Sequence, residues 1–316
     1  MNILLLGGFG FIGTNILKYA ETLDSDYRMI VFDRFPKHLD NIQFSRVDKV
    51  YAGDFSDEYL LNKIFEENKI DIVLHSLSAS VPSSSVDNIF DLKFNVIPTI
   101  SLLNVMKVHD VKHIVFISSG GAIYGDTTIG GDGHSEKDVL FPKSAYGVSK
   151  LVIEKYLYLY SNLYGFKVLI TRLSNPYGPY HYSQKQGVVN IAIEKAIKGE
   201  KLEIWGDGNG KKDYIYIEDY CKILFLLLQS NMAGYSVINV GSGQLLSVNE
   251  IAITIRNTIN DTFSWNYLYK NELDVTSFVL NLTKLHSILG PFNYTTFDAG
   301  LIKTYEWSKY NKNSDK

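Results

Sequence analysis

A tyrosine and a lysine spaced by one helical turn stand in the stretch "SAYGVSK". Tyr146 and Lys150 are four residues apart, and residues i and i+4 lie on the same face of a helix. An ammonium near a phenol favours the phenolate, so it lowers the pKa of the tyrosine and makes it a usable base near neutral pH. Tyrosine is common here, with 22 copies, so the pair has meaning only if the fold places it in a site.

Two serines precede this pair and close an apolar run. The run "HIVFISS" ends at Ser118 and Ser119, and two glycines follow before "AIYG". Clusters of serine and glycine are typical of turns, so the stretch is either a turn at the end of a buried strand or the edge of an active site. The surrounding elements have to decide between these two interpretations.

Those elements are short β-branched runs that alternate with helical patterns. Strands are predicted at 2–6, 28–33, 49–54, 71–76, 113–118, 167–174 and 236–241, and helices at about 12–23, 86–109 and 144–164. Gly165 is placed to cap the last of these helices. Continuous apolar strands alternating with helices predict an α/β fold with a parallel sheet covered on both faces.

Three glycines separate the first strand from the first helix. Gly7, Gly10 and Gly13 in "LLLGGFGFIG" permit a tight turn and close approach of a pyrophosphate to the helix N-terminus. Asp33 ends the second strand, where a carboxylate binds the ribose hydroxyls of NAD and repels a 2′-phosphate. Arg34 follows it and could hold such a phosphate, so the sequence favours NAD but leaves NADP open.

The fold class is therefore a Rossmann-type doubly wound parallel sheet with a smaller C-terminal α/β lobe that binds substrate. We predict a dinucleotide-binding domain at 1–174, to which 215–243 returns. The predicted substrate-binding lobe consists of 175–214 and 244–316, where turn-rich pieces separate shorter elements.

Composition limits the classes of function. With 316 residues, 46% hydrophobic residues and a net charge of −3, the chain can bury a normal core, and nothing indicates a nucleic-acid partner. Cys221 is the single cysteine, and we read it as core filler in a reducing compartment. No basic leader and no apolar run of about 18 residues is visible, so we expect a soluble cytoplasmic protein without membrane segments. No ligand pattern for a metal is found.

The motifs jointly resemble the extended short-chain dehydrogenase/reductase family, in its NAD-dependent group of nucleotide-sugar epimerases and dehydratases. They are most like the UDP-glucose 4-epimerase relatives of bacterial polysaccharide clusters. The resemblance is carried, in order along nearly the whole chain, by "GGFGFIG", "VFDR", "AGDFSD", "DIVLHSLSAS", "KFNVIPTISLLNVMK", "ISSGGAIYG", "SAYGVSK", "TRLSNPYGP" and "WGDGNGKKDYIYIED".

The resemblance implies a role for each matching residue. Tyr146 would be the catalytic base and acid, and Lys150 would hold the nicotinamide ribose and lower the pKa of Tyr146. Cofactor contacts are expected for Gly7, Gly10, Phe11, Ile12, Gly13, Asp33, Arg34, Asp54, Phe55, Leu77, Ser78, Asn95, Tyr146 and Lys150. Contacts with the substrate, a nucleotide-diphosphate sugar, are expected for Ser80, Gly120, Asn175, Val188, Val189, Lys212, Tyr214 and Asn271.

The sequence departs from the family at three of these positions. The Ser or Thr that usually assists the tyrosine falls on Gly120, so we expect Ser119, or failing that Ser118, to replace it. Lys212 and Asn271 stand where relatives often carry arginines on the diphosphate, and a lysine offers a point charge but no bidentate fork.

The implied activity is 4-epimerisation of a UDP-hexose or UDP-N-acetylhexosamine through a transient 4-keto sugar. Three alternatives stay open. One is a 4-ketoreductase that uses exchangeable NADH or NADPH, and a second is a catalytically degenerate NAD-binding protein. A 4,6-dehydratase is the third, although Gly121 and Ala122 offer no carboxyl group where such enzymes need an Asp-Glu pair. The family also implies a homodimer formed through two long helices at about 87–108 and 144–164.

Overall fold

The structure is a computed structural model that describes residues 1–34, 44–80, 88–126, 132–230, 232, 234–269 and 277–312. Asn271, predicted as a substrate contact, lies outside these residues, as does the start of the helix predicted from about residue 86. Contacts divide the chain into two compact units. The first unit contains 1–119, 144–172 and 227–238, and the second contains 120–143, 173–226 and 239–316.

The central element is a seven-stranded sheet. Its strands, β1 to β6 and β10, are Asn2–Leu6, Arg28–Asp33, Val47–Ala52, Ile72–His75, His113–Ser119, Lys167–Leu173 and Tyr235–Val240, in the spatial order β10-β6-β5-β4-β1-β2-β3. The pairs β1–β2, β1–β4, β2–β3 and β4–β5 are parallel. Leu4 in β1 lies opposite Ile30 on one side and Val73 on the other. The predicted Rossmann-type parallel sheet is confirmed. Its apolar strands need helices to cover them.

Helices connect these strands and cover the sheet. In the first part of the chain they are α1 (Phe11–Ala20), α2 (Glu58–Glu67), α3 (Asn88–Asp91), a π-helical segment (Leu92–Val96), α4 (Ile97–Val108) and α6 (Ala145–Tyr164). Large buried side chains from sheet and helices, among them Phe32, Phe116, Leu157 and Ile170, form the core of the first unit.

The second unit holds two smaller sheets. One has the order β11-β9-β7, with β7 at Asn175–Tyr177, β9 at Lys211–Tyr216 and β11 at Leu245–Ser247. The other pairs β8 (Leu202–Trp205) with β12 (Trp265–Leu268). The remaining helices are α5 (Gly120–Ile123), α7 (Val188–Lys198), α8 (Ile217–Gln229), α9 (Val248–Thr258), α10 (Thr283–Leu289) and α11 (Phe297–Lys312).

The two units are defined by contacts between residues, so the division does not say which unit binds a ligand. The segment 120–143, which the sequence interpretation assigned to the dinucleotide-binding domain, groups with the second unit. The assignment of one domain to cofactor and one lobe to substrate therefore stays a prediction.

One helical stretch of the described chain, Ile89–Val108, is long and apolar enough to span a membrane by length and composition. The sequence interpretation passed over it. Half of this stretch is buried inside the protein, and core helices pass the same test. The feature is therefore weak evidence for a membrane segment.

Candidate active site

The glycine loop between β1 and α1 is tightly packed. Gly7 has φ +77° and donates its N–H to the carbonyl oxygen of Phe32 at 2.8 Å. A Cβ on Gly13 would lie 2.1 Å from the carbonyl oxygen of Gly7, so no side chain fits there. Gly10 caps α1 with extended backbone and no side-chain hydrogen bond, and the first helical turn carries no acid. A helix start of this kind suits an anion such as a pyrophosphate.

Asp33 ties the end of β2 to this loop. Its carboxylate accepts the N–H of Phe9 at 2.8 Å, from within the glycine turn. The predicted ribose ligand therefore lies beside the predicted phosphate loop. The two parts of a dinucleotide site, separated in sequence, are brought together by the parallel pairing of β1 with β2.

Arg34, which left the choice between NAD and NADP open, has an acidic partner in the structure. Its guanidinium forms a salt bridge with the carboxylate of Asp54, and both side chains are 44% exposed. Asp54 also accepts the N–H and the hydroxyl of Ser56 at 2.9 and 2.6 Å. These two bonds, and then Arg34, lower the pKa of Asp54 below its ordinary value. Arg34 is thus directed to a carboxylate.

Phe55 departs from its expected role. Its ring is 3% exposed and packs against Phe32 and, edge-on, against His75. The structure makes this side chain part of the core of the first unit. The predicted adenine contact therefore does not involve an exposed ring.

The segment after β4 is held by the π-helical segment. Asn95 accepts the N–H of Ala79 at 2.8 Å and donates to the Ser80 hydroxyl at 3.0 Å. Asn95 also donates to Asp91 at 3.0 Å, and Ser80 donates to the same carboxylate oxygen. The Ser80 hydroxyl is therefore buried and engaged inside the first unit, and its contact with a substrate stays a prediction. Ser78 donates to the carbonyl oxygen of Ser80 at 2.9 Å.

Leu77 is a further predicted cofactor contact and lies two residues after β4. Its backbone lies against the glycine loop, since a Cβ on Gly7 would come within 2.9 Å of the Leu77 Cα. Phe11 and Ile12 stand in the first turn of α1. These positions bring the predicted cofactor residues of β1, α1 and β4 to the same ends of neighbouring parallel strands, where ligands of such sheets bind.

Helix α6 carries the predicted catalytic pair. The Ser144 hydroxyl caps its start by accepting the N–H of Gly147 at 3.2 Å, and Gly165 ends it with φ +68°, as predicted. Lys150 is buried, donates to the carbonyl oxygen of Ile117 at 3.0 Å and lies 5.7 Å from the centre of the Tyr146 ring. The pair is therefore on one face of the helix and against the end of β5.

Ser119 is the serine that meets the tyrosine. Its side chain is hydrogen-bonded to the hydroxyl of Tyr146. Ser118 is buried and donates instead to Oε1 of Glu154 at 2.6 Å. Of the two serines offered by the sequence, Ser119 is bonded to Tyr146, and Ser118 has a different partner.

The electrostatics of the pair differ from the expectation. Burial raises the pKa of Tyr146 to about 12, Ser119 lowers it, and Asp91 raises it further. By its exposed surface, Tyr146 as a whole residue is only half-buried. Burial also lowers the pKa of Lys150 to about 8, against the opposite effects of Glu154 and Asp91. In this structure burial therefore raises the pKa of Tyr146, and Ser119, not Lys150, is the group that lowers it.

Gly120 has a packing reason to be glycine. A Cβ there would lie 3.0 Å from Phe278 and 3.1 Å from Leu280, all within the second unit. These side chains and Tyr124 belong to one buried cluster. The space that a serine or threonine side chain would need is therefore filled by the segment around residues 278–280.

The predicted substrate residues of the second unit fall on β7, α7 and β9. Asn175 lies opposite Tyr214 in the parallel pair β7–β9 and donates to the carbonyl oxygen of Asp213 at 2.8 Å. Tyr214 and Val189 are buried in the core of the unit. In the structure, these two side chains therefore pack in the core of the second unit.

The other two positions lie nearer to the surface. Val188 begins α7 after Gly187, which has φ +83°, and packs on the same core while only partly buried. Lys212 in β9 forms an isolated parallel bridge with Phe278. Both keep surface that a ligand could reach.

The model of the NAD-dependent epimerase/dehydratase family matches residues 3–241. The chain belongs to this family. Members of the NAD-dependent epimerase/dehydratase family that resemble it include a putative UDP-glucose 4-epimerase of Methanocaldococcus jannaschii, which is 32% identical over 98% of this chain and 99% of that protein. The dTDP-glucose 4,6-dehydratase of Haemophilus influenzae is 27% identical over 99% of both.

Solved structures agree with this membership. The UDP-glucose 4-epimerase of Thermotoga maritima, crystallised with UDP-glucose, matches with a TM-score of 0.89 and 30% identity, covering 99% of this chain and all of that one. The predicted family is confirmed, and so is NAD as its cofactor. The crowded glycine loop, the start of α1 without a side-chain hydrogen bond, and the carboxylate of Asp33 are suited to bind NAD.

The sequence interpretation missed two residues that lie near the predicted catalytic pair. Asp91 and Glu154 are buried carboxylates that act on the pKa of Lys150. Glu154 could have been found, since it follows Lys150 by one helical turn. Asp91 lacked any such signal, because its position depends on the π-helical segment after it.

Proposed function

We propose that the protein is an NAD-dependent nucleotide-diphosphate-sugar 4-epimerase acting on a UDP-hexose or UDP-N-acetylhexosamine. The proposal is supported above all by one observation: Ser119, Tyr146 and Lys150 lie together at the end of β5, in the unit that carries the glycine loop. Such a set can move a proton to and from a sugar hydroxyl.

Each residue has a distinct part in the proposed reaction. Tyr146 accepts the proton of the sugar 4-hydroxyl and later returns it to the oxygen of the 4-keto sugar, after that sugar has turned over in the pocket. Ser119 shares the hydrogen bond to that oxygen, and the ammonium of Lys150 stabilises the phenolate. Bound NAD supplies the redox chemistry, which is acceptance of a hydride from carbon 4 and its return. Asn175 and Lys212 are proposed to bind the nucleotide diphosphate.

A 4-ketoreductase is the second candidate, and the pKa of Tyr146 favours it. A tyrosine with a pKa of about 12 keeps its proton at neutral pH and is better suited to donate it to a keto oxygen than to remove one. The same three side chains would serve that reaction. It would need exchangeable NADH or NADPH, whereas an epimerase regenerates NAD in each cycle.

The deciding experiment is proton NMR of the purified protein with UDP-glucose and then UDP-N-acetylglucosamine, without any reductant. Appearance of the C4 epimer is expected, and the Tyr146→Phe variant should abolish it. If neither sugar nucleotide changes while a 4-keto sugar nucleotide is reduced at the expense of NADH, the ketoreductase is the correct function. A folded protein that binds NAD but does neither would be the degenerate binding protein.

We also propose that the protein forms a homodimer through α3–α4 and α6. Apolar side chains are exposed on both stretches, including Ile97 (57% exposed) and Leu163 (62% exposed). Burial of such a surface is favourable at about 25 cal/mol per Å². Light scattering at micromolar concentration should give twice the mass of the chain, and Leu163→Glu should shift it towards the monomer. A monomeric wild-type protein contradicts the proposal.

We place the protein in the cytoplasm, as a supplier of sugar nucleotides for surface polysaccharide. The buried free thiol of Cys221 agrees with a reducing compartment. Cell fractionation followed by immunoblotting tests the location. Recovery of the protein in the membrane fraction would instead support a membrane role for Ile89–Val108.

A further inference from the structure

A buried ion pair lies one helical turn beyond Lys150. The side chains of Glu154 and Arg172 are 1% and 5% exposed, and Nη2 of Arg172 donates to Oε2 of Glu154 at 2.7 Å. Nε of the same arginine donates to Oε1 at 3.2 Å, and Ser118 donates to this oxygen at 2.6 Å. One carboxylate on α6 therefore holds side chains from β5 and β6.

Stability alone is a poor explanation for this cluster. Removing each charge from water costs several kcal/mol, and apolar replacements of buried ion pairs are often as stable as the pair. A charged cluster beside a reacting group is more readily explained by what it does to that group.

The position of Ser118 links the cluster to the reacting hydroxyls. Ser118 precedes Ser119, whose side chain is hydrogen-bonded to Tyr146. The carbonyl oxygen of Ile117, one residue earlier, accepts from Lys150 at 3.0 Å. Three successive residues of β5 are thus bonded to Lys150, Glu154 and Tyr146, which recur every four residues along α6.

We propose that Glu154 is a positioning residue of the reaction proposed above: it fixes the end of β5 through Ser118 so that Ser119 stays bonded to Tyr146, and it places a carboxylate one helical turn from Lys150. The inference rests on the proposed function for its kinetic part only. Its electrostatic part concerns two side chains of the protein itself.

The charges around Lys150 set the direction of the effect. Burial lowers the pKa of Lys150 to about 8, while Glu154 and Asp91 raise it. The buried imidazole of His75 is a further neighbour, since Lys150 contributes to lowering its pKa. Without the charge of Glu154, Lys150 loses its proton at lower pH. The ammonium that would stabilise negative charge on the Tyr146 oxygen is then lost at a lower pH.

The experiment compares Glu154→Gln with wild-type enzyme loaded with NAD. Glutamine keeps an acceptor for Ser118 but removes the charge. We expect kcat near pH 7 to fall about 10–100-fold with KM changed by less than about twofold, and the alkaline limb of the kcat profile, where Lys150 loses its proton, to move down by about one pH unit. Glu200→Gln, which removes an exposed partner of Lys195, is the matched control and should behave as wild type.

A second readout does not depend on turnover. In protein labelled with ¹³C at the lysine Cε, the Lys150 signal is identified by its absence in Lys150→Arg and titrated against pH. Its midpoint should fall in Glu154→Gln, because Glu154 raises the pKa of Lys150. If wild-type protein converts no sugar nucleotide, the proposed function fails, but this titration still decides the role of Glu154.

Two more variants separate the tether from the charge. Ser118→Ala should lower kcat without moving the pH profile. A wild-type kcat in this variant would show that the hydrogen bond from Ser118 to Glu154 does not position Ser119. Glu154→Gln with Arg172→Met leaves no unpaired arginine, so it serves if the single variant does not fold, and its Lys150 midpoint should still fall. A folded Glu154 variant with the wild-type pH profile and the wild-type Lys150 titration overturns the proposal.

Discussion

Lys150 lies with its ammonium nitrogen 5.7 Å from the centre of the Tyr146 ring, one turn earlier on the same helix. The distance is too long for a hydrogen bond to the ring face and too short for the charge to be screened away in a buried site. The lysine is held there by the carbonyl oxygen of Ile117. Lys150 can therefore influence Tyr146 through its field while a second group, Ser119, makes the hydrogen bond.

Ser119→Ala should lower kcat about 10–100-fold and leave the fold intact. The hydroxyl is the bonded partner of Tyr146, and its loss removes an interaction that favours the phenolate. Steady-state kinetics with the substrate identified by NMR, together with circular dichroism, check this. Unchanged kinetics in a folded variant would remove Ser119 from the mechanism.

The pH dependence of stability should reveal His75. Burial first, and then Lys150, lower the pKa of this imidazole from 6.5 to about 3. The group stays neutral in the folded state, so the stability it contributes is complete above pH 6.5 and is lost as pH falls towards 3. At pH 5 the loss is about 2 kcal/mol.

Urea unfolding of wild type and His75→Leu at pH 7 and pH 5 measures this loss. The variant is less stable at both pH values because His75 bonds Thr99 at 3.0 Å, but its further loss at pH 5 should be smaller by about 2 kcal/mol. Asp213, whose pKa burial raises to about 6, and His113, lowered to about 4, titrate in both proteins and cancel in the comparison. Equal losses in the two proteins contradict the assignment.

Cofactor choice should depend on the partner of Arg34. Asp54→Asn removes the charge that holds the guanidinium, so Arg34 becomes available to a 2′-phosphate. We expect affinity for NADP to rise about tenfold, which corresponds to a typical gain from one charge-assisted contact. Calorimetric titration of NAD and NADP into wild type and variant measures it. Arg34→Ala in the Asp54→Asn background should cancel the gain, and a gain that survives this change would assign it to another group.

The sequence predicted those parts of the site that depend on local pattern. The apolar run 113–118 and the cap at Gly165 specified a strand and a helix end, whereas the meeting of Ser119 and Tyr146 was expected only from the resemblance to a family. The cluster of Glu154 with Arg172 joins a helix to a strand, and no local spacing encodes it. The role of Asp91 depends on a π-helical segment that residue propensities do not indicate.

Gly120→Ser tests whether the position can regain the side chain that related sequences carry. Its Cβ would lie 3.0 Å from Phe278 and 3.1 Å from Leu280, and overpacking of a filled core costs about 1–3 kcal/mol. We expect the variant to unfold at lower urea concentration and to show no gain in kcat. In a Phe278→Leu background, which shortens the obstructing ring, the same substitution should cost less stability. A variant of wild-type stability with raised kcat would show that Gly120, and not Ser119, is the position that assists Tyr146.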